Sequence, residues 1–313
     1  MAGIQTNITF VLGAGASIPY GFISGEQLRI EICQLADTSD FLNTASACGI
    51  SRFTCEKFAR AFRDSATTSI DAFLGRQTQF AEIGKLAIAF KICQLESHVA
   101  LFNPSNAEDW YRYFWNALIS DADNVEDVPF SKIKVVTFNY DRSFEHFLHT
   151  ATVNTFGITD EEATKRVSEL QLVHVYGALG EYCHTRKELA QRAYEPISTA
   201  PEFQIMARQI KVIPEARLDD EVFERARELC THADKICFLG FGFDPLNVRR
   251  LNIPSVLDWA AKNRGTSPPM IASTFGMTGA EIARGTWDVS GKYGMNTFSA
   301  TNLQTLRESG LLL

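Results

Sequence analysis

Ile8-Thr9-Phe10-Val11-Leu12-Gly13-Ala14-Gly15-Ala16-Ser17 is an apolar run that stops at a glycine-rich turn. More than a hundred residues later, Val135-Val136-Thr137-Phe138-Asn139-Tyr140-Asp141 is a second apolar run, ending in an amide and a carboxylate. In an open parallel sheet both sets of polar residues lie at carboxyl ends of strands, where such folds bind ligands. The pair therefore suggests a nucleotide site.

Outward from these segments the chain reads as strand, long helical stretch, then strands alternating with helices. Glu26 to Leu35 has amphipathic helical spacing, with Leu28, Ile32 and Leu35 apolar. Phe41 to Leu118 shows only helical patterns: Phe53, Phe58 and Phe62, then Phe73, Phe80 and Ile83, then the apolar stretch Leu86 to Leu95. This predicts a helical insertion after the first strand, over 37–129. Further strands are expected at Ile133–Phe138, Leu172–Tyr176, Lys235–Leu239, Met270–Thr274 and Met295–Phe298. Helices are expected at about Arg142–Thr150, Asp219–His232, Asn247–Ala261 and Gly279–Arg284. The fold class is α/β, a Rossmann-like parallel sheet with helices on both faces, formed by residues 1–36 and 130–313. Residues 178–215 are polar and irregular, a lid or second insertion.

Composition narrows the function. The 313 residues are 45% hydrophobic and 21% charged, ordinary for a globular protein, so wholesale disorder is not expected. A net charge of -7 argues against a broad cationic surface for nucleic acid. No apolar run reaches the roughly 18 residues that span a bilayer, and Met1 to Thr6 lacks the pattern of a signal peptide. Seven cysteines without a C-x-x-C pair read as reduced thiols of a cytoplasmic protein. The six histidines form no ligand cluster, so no metal is expected.

Five strand ends carry candidate chemistry. Gly13, Ala14, Gly15 and Ala16 would let backbone N–H groups approach a pyrophosphate, or simply make a tight turn, and Ser17 could donate to a phosphate or cap a helix. The three-glycine dinucleotide fingerprint is not met, because Ile18 stands at its third position. Asn139 could orient a water or a ribose hydroxyl, or form a turn; Asp141 could act in the site or cap the following helix. His174 and Tyr176 alternate with valines before Gly177, so both point to one face: either His174 is a satisfied histidine under a loop, or the His/Tyr pair faces the crevice of Asn139. Gly240 and Gly242 allow close approach to a ribose or adenine, Asp244 or Asn247 caps the next helix, and Thr274-Phe275-Gly276 repeats the design.

Together these segments resemble the sirtuin-like superfamily, in its bacterial NAD-hydrolase branch. The turn at 13–17 resembles the opening motif, Thr137 to Asp141 the segment with the catalytic Asn and a nearby Asp, and Val173 to Gly177 the segment with the catalytic His before a Gly. Ser69-Ile70-Asp71-Ala72-Phe73-Leu74 is similar to a short motif in the helical insertion of these relatives. Two features depart from the protein-deacetylating members: no four-cysteine zinc module, and no Phe-Arg pair after the turn. A third departs from the family at large, since Tyr176 stands directly before Gly177 where His is usual. Either His174 supplies the imidazole, or Tyr176 takes over, or the copy is inactive.

The resemblance implies cleavage of the nicotinamide–ribose bond of NAD+ to nicotinamide and ADP-ribose, with NAD+ as substrate and no metal. Asn139 would place water or the ribose, His174 would contact a ribose hydroxyl or serve as base, and Asp141 would hold the ribose or orient its neighbours. The glycine turn with Ser17 would hold the pyrophosphate. It further implies NAD+ depletion in anti-phage defence, by a homo-oligomer or with a co-encoded partner such as an ATPase, an Argonaute-like protein or a nucleotide-processing enzyme. The rival expectations are an inactive sensor of NAD or ADP-ribose that regulates a partner, and an NAD-dependent deacylase without zinc.

Overall fold

The computed structural model describes residues 4–183, 191–196, 199–212 and 221–312. Its strands are β1 (Ile8–Leu12), β2 (Ile133–Thr137), β3 (Gln171–His174), β4 (Glu181–Tyr182), β5 (Gln191–Arg192), β6 (Lys235–Leu239), β7 (Met270–Ser273) and β8 (Asn296–Phe298). Six of them form one parallel sheet in the order β3-β2-β1-β6-β7-β8, while β4 and β5 pair separately. Counted within the large sheet alone, the order is 3-2-1-4-5-6, the doubly wound Rossmann-like arrangement. The chain reverses its direction of travel between β1 and β6, so the crevice for a ligand opens beyond their carboxyl ends.

Every residue of β1 is buried, as a central parallel strand covered on both faces requires. Thr9 donates its hydroxyl to the Leu229 carbonyl of the helix Glu221–Thr231, at 2.7 Å. The next residue, Phe10, meets the Phe114 ring of the helix Trp110–Leu118 edge-on at 5.5 Å. Consecutive β1 side chains are thus covered by helices from different parts of the chain. This places the expected helical layers on both faces.

Between β1 and β2 the chain forms only helices. Phe58, Phe62, Phe73 and Phe80 pack there with ring centroids 4.9–6.1 Å apart. Phe53, which shares their spacing, is 73% exposed instead. The described residues after Ala178 include more regular structure than their composition suggests, since the helix Ala200–Gln209 packs along the helix Ala81–Gln94. Phe203 and Phe90 meet across that contact at 5.3 Å. The rest of the 178–215 segment, at 184–190, 197–198 and 213–215, lies outside the described residues.

Three smaller differences have local causes. The strand expected to reach Tyr176 ends at His174, because Gly177 turns with φ +73°. The helix expected over Asn247–Ala261 is two helices, Pro245–Leu251 and Ile253–Arg264, broken at the left-handed Asn252 with Pro254 opening the second. The helix after β2 runs from Ser143 to Phe156, further than Thr150, and stops at the left-handed Gly157.

A buried ion triad ties the layers together. Arg142, at the entry to the helix Ser143–Phe156, donates to both oxygens of Glu96, at 3.1 and 2.9 Å. Arg192 of β5 donates to the same carboxylate. Arg142 and Glu96 are fully buried, and Arg142 also donates to the carbonyls of Arg192 and Ala193. One carboxylate from the helical segment between β1 and β2 therefore holds a guanidinium just after β2 and another on β5.

Candidate active site

The turn after β1 and the turn after β6 interlock at the switch point. The N–H of Gly13 donates to the Leu239 carbonyl at 3.1 Å, and that of Gly15 to the Gly240 carbonyl at 3.0 Å. A Cβ on Gly13 would lie 2.5 Å from the Gly240 oxygen, and one on Gly240 (φ +57°) 2.1 Å from the Ala16 nitrogen. Glycine is required here because two backbones touch. The N–H groups of Ala16 and Ser17 are committed too, to Gly13 and Ala14, which leaves Ala14 as the exposed apex of the turn.

Two residues outside the sequence expectations lock this junction. Asn302 donates from Nδ2 to the Gly15 carbonyl at 2.9 Å, and its Oδ1 accepts from the Ser273 hydroxyl at 2.8 Å. Ser273 Oγ in turn accepts from the Gly240 N–H at 2.9 Å. Nothing in the local sequence marks either residue, since each merely ends a strand or opens a helix.

Asn139 stands beside the junction. Its Nδ2 donates to the Gly13 carbonyl at 3.0 Å and to Ser17 Oγ at 3.1 Å. Its own N–H donates to Thr137 Oγ1 at 3.1 Å. Asp141 is buried nearby and accepts from the Ser143 N–H at 3.1 Å and from the Ser143 hydroxyl. Tyr111 then donates to Ser143 Oγ at 2.8 Å, because that hydroxyl already gives its proton to Asp141. Burial pushes the Asp141 carboxyl upward against the hydrogen bonds of Ser143 and Ser17. Thus Asp141 both opens the helix and belongs to the polar cluster. Between Ser17, Tyr111, Thr137, Asn139 and Asp141 lies a cavity of about 10 Å³, room for a single water.

His174 approaches from β3. Its Nδ1 lies 2.8 Å from the Asn139 carbonyl and its Nε2 2.7 Å from Glu145 Oε1. The Asn139 carbonyl only accepts, so Nδ1 carries a proton, and opposite an ionised Glu145 Nε2 carries one too, making the ring an imidazolium. Burial opposes that charge, but Glu145 outweighs it, aided by the Asn139 carbonyl, and the net pKa is raised. Glu145 is a member of the site that sequence spacing alone did not reveal. Glu145 and His174 both line a cleft of about 840 Å³ that also includes Asp160, Glu181 and Tyr182.

Tyr176 departs from the expected arrangement. Since β3 stops at His174, strict alternation fails, and the Tyr176 ring packs on Phe138 and Phe223 instead. Its hydroxyl donates to Asn247 Oδ1 at 2.5 Å and accepts from Arg250 Nη1 at 3.1 Å. Burial pushes its pKa up to about 12. His174 and Tyr176 therefore do not share one crevice. Gly177 permits a close backbone approach, as a Cβ there would lie 2.0 Å from the Gln209 carbonyl oxygen.

The remaining predicted residues divide between structure and surface. Asp244 caps the helix Pro245–Leu251 by accepting from Leu246 and Asn247 N–H groups, at 3.0 and 3.1 Å. Thr274 is buried and donates from both N–H and hydroxyl to the Phe298 carbonyl, joining the ends of β7 and β8. Gly242 is exposed and borders a cavity of about 190 Å³ with Phe243, Phe275, Gly276, Met277 and Arg284. No group of three or more His, Cys, Asp or Glu capable of holding a metal occurs among the described residues. Among them, too, no helix is long and apolar enough to cross a membrane.

Neither a protein-family model nor a curated protein matches this chain. The fold and the residues above are what define it: an α/β protein with a Rossmann-like parallel sheet and a polar cluster at its switch point.

Proposed function

We propose that this chain binds NAD+ across the switch point and hydrolyses its nicotinamide–ribose bond. The observation that supports this most is the Asn139 amide, held between the Gly13 carbonyl and Ser17 Oγ beside a cavity sized for one water. The residues fit NAD+ in part. Ala14 at the exposed apex would meet the pyrophosphate, and this reading puts the adenine in the cavity of about 190 Å³ beside Gly242, Phe243 and Arg284. The N–H groups of Gly13 and Gly15 do not contribute, being spent on the junction.

When bound, NAD+ supplies its own neutral leaving group, nicotinamide, so no strong general acid is needed. Asn139 orients the water that attacks C1′, and the Ser17–Asp141–Ser143 cluster fixes the surroundings of that amide. The C1′–N bond breaks, the C1′–O bond forms, and the water proton is released. His174, protonated on both nitrogens, cannot accept that proton; it pins the Asn139 carbonyl and places a positive charge beside Glu145. The biological reading that accompanies this activity is NAD+ depletion in anti-phage defence, with activation by self-assembly or a co-encoded partner.

The decisive assay is nicotinamide and ADP-ribose release by the wild-type protein, with its genomic neighbour co-expressed, alongside Asn139→Ala and His174→Ala. Asn139→Ala is expected to lose on the order of a hundredfold or more in kcat. Turnover by Asn139→Ala at the wild-type rate would remove the assignment. A second reading, an inactive NAD or ADP-ribose sensor, is favoured by the engagement of both His174 nitrogens and the Tyr176 hydroxyl. Calorimetric NAD+ binding without turnover, partner present, would select it.

A further inference from the structure

The Ser69–Leu74 motif lies in the helical insertion, and most of it has an ordinary task. Ser69 caps the short helix Ile70–Leu74 by accepting from the Ala72 N–H, while Ile70, Phe73 and Leu74 are buried in the core. Asp71 does neither. Its Oδ1 accepts from the Tyr140 hydroxyl at 2.9 Å, reaching from the insertion to the residue directly after Asn139.

That neighbour completes a ring of restraints. The Asn139 N–H is held by Thr137, its carbonyl by His174 and its side chain by Gly13 and Ser17. The Tyr140 carbonyl accepts from the Leu179 N–H at 3.1 Å. These partners come from the ends of β1, β2 and β3, whereas the restraint on the Tyr140 side chain comes from outside the sheet. Tyr140 is thus held at two points, its hydroxyl on Asp71 and its carbonyl on Leu179, which limits the backbone movement open to the residue directly after Asn139.

We propose that Asp71 is a positioning residue for the hydrolysis, acting through Tyr140 to hold Asn139 in its working orientation. This inference builds on the assignment of Asn139 above. The charged and titratable groups around Asp71 are Tyr140 from the end of β2, Tyr176 from the end of β3, and Asp244 and Arg250 from the segment after β6. Burial pushes the Asp71 pKa up to about 6, against the Tyr140 hydrogen bond. Above that pH the carboxylate only accepts, which suits the Tyr140 hydroxyl; below it Asp71 carries a proton and competes as a donor.

The test compares wild type, Asp71→Asn, Tyr140→Phe and Asn139→Ala, each with the genomic neighbour co-expressed, for kcat and KM with NAD+ from about pH 5 to about pH 8. Backbone hydrogen exchange over residues 138–143 is measured on the same proteins. Asp71→Asn and Tyr140→Phe are each expected to lower kcat about tenfold, roughly 1.4 kcal/mol, with KM nearly unchanged. Asp71→Asn is also expected to flatten the fall in activity below about pH 6. Exchange should quicken at 138–143 and stay unchanged elsewhere. Wild-type kcat, pH profile and exchange in both variants overturn the proposal, as does faster exchange throughout the chain. If Asn139→Ala is dead while Asp71→Asn is normal, the Asp71 role alone fails. If wild type shows no turnover, or Asn139→Ala matches it, the hydrolase reading fails and exchange at 138–143 decides the clamp.

Discussion

The two sides of the switch point are built from different materials. Between β1 and β6, backbone meets backbone: Gly13, Gly15 and Gly240 touch without side chains, and Ser273 and Asn302 lock them with neutral hydrogen bonds. Around the ends of β2 and β3, charged and polar side chains do the holding, through Arg142–Glu96–Arg192, His174–Glu145 and Asp141–Ser143. The first side is sensitive to added volume and indifferent to pH. The second tolerates shape better and responds to protons.

The harshest way to break that contrast is Glu96→Gln, which leaves two buried guanidiniums without a counter-charge. Removing one partner of a buried pair costs about 3–5 kcal/mol, and urea unfolding should register a loss of that order. A loss no larger than that of a surface substitution would show that the triad is not what binds the insertions to the sheet. Gly240→Ala attacks the other side. Its φ of +57° and its contact with the Ala16 nitrogen predict a destabilisation of about 1–3 kcal/mol or more. Retained stability would mean that the two turns can separate freely.

pH separates the two sides without mutation. His174 has a raised pKa in the folded chain, so its stabilising contribution is complete below about pH 6.5, its unfolded value. That contribution disappears as pH rises through the folded value. The difference in unfolding free energy between wild type and His174→Gln should therefore shrink on going alkaline, whereas that for Ser273→Ala should not. Equal pH dependence in the two differences would contradict an imidazolium at His174. The smallest effect is expected far from both sides: Trp287→Ser, at a position 69% exposed, should change stability by no more than about 0.5 kcal/mol.

Strand ends were the legible part of this chain, because an apolar run stopped by glycine or by Asn and Asp is a local signal. Lys235–Leu239 agrees with its expected bounds, and the other sheet strands agree within one or two residues. What the glycines do was less legible. Their spacing suggested room for a phosphate, but Gly13 and Gly240 spend that room on each other, and no local pattern reports a contact between turns so distant in sequence. The same limit hid Glu145, Ser273 and Asn302, whose partners are chosen by the tertiary fold. Tyr176 was misplaced for a different reason: period-two alternation holds only while the strand lasts, and β3 ends two residues early.

The hydrogen bond from Asn302 to Gly15 spans 287 residues of sequence. A ribosome adding about 5–20 residues each second delivers the glycine turn long before the residue that locks it. Such long-range closure is slow and comes late in folding. The switch-point crevice is therefore among the last features of the molecule to form, and a growing chain stays unfinished at this place until the helix Asn302–Ser309 has emerged.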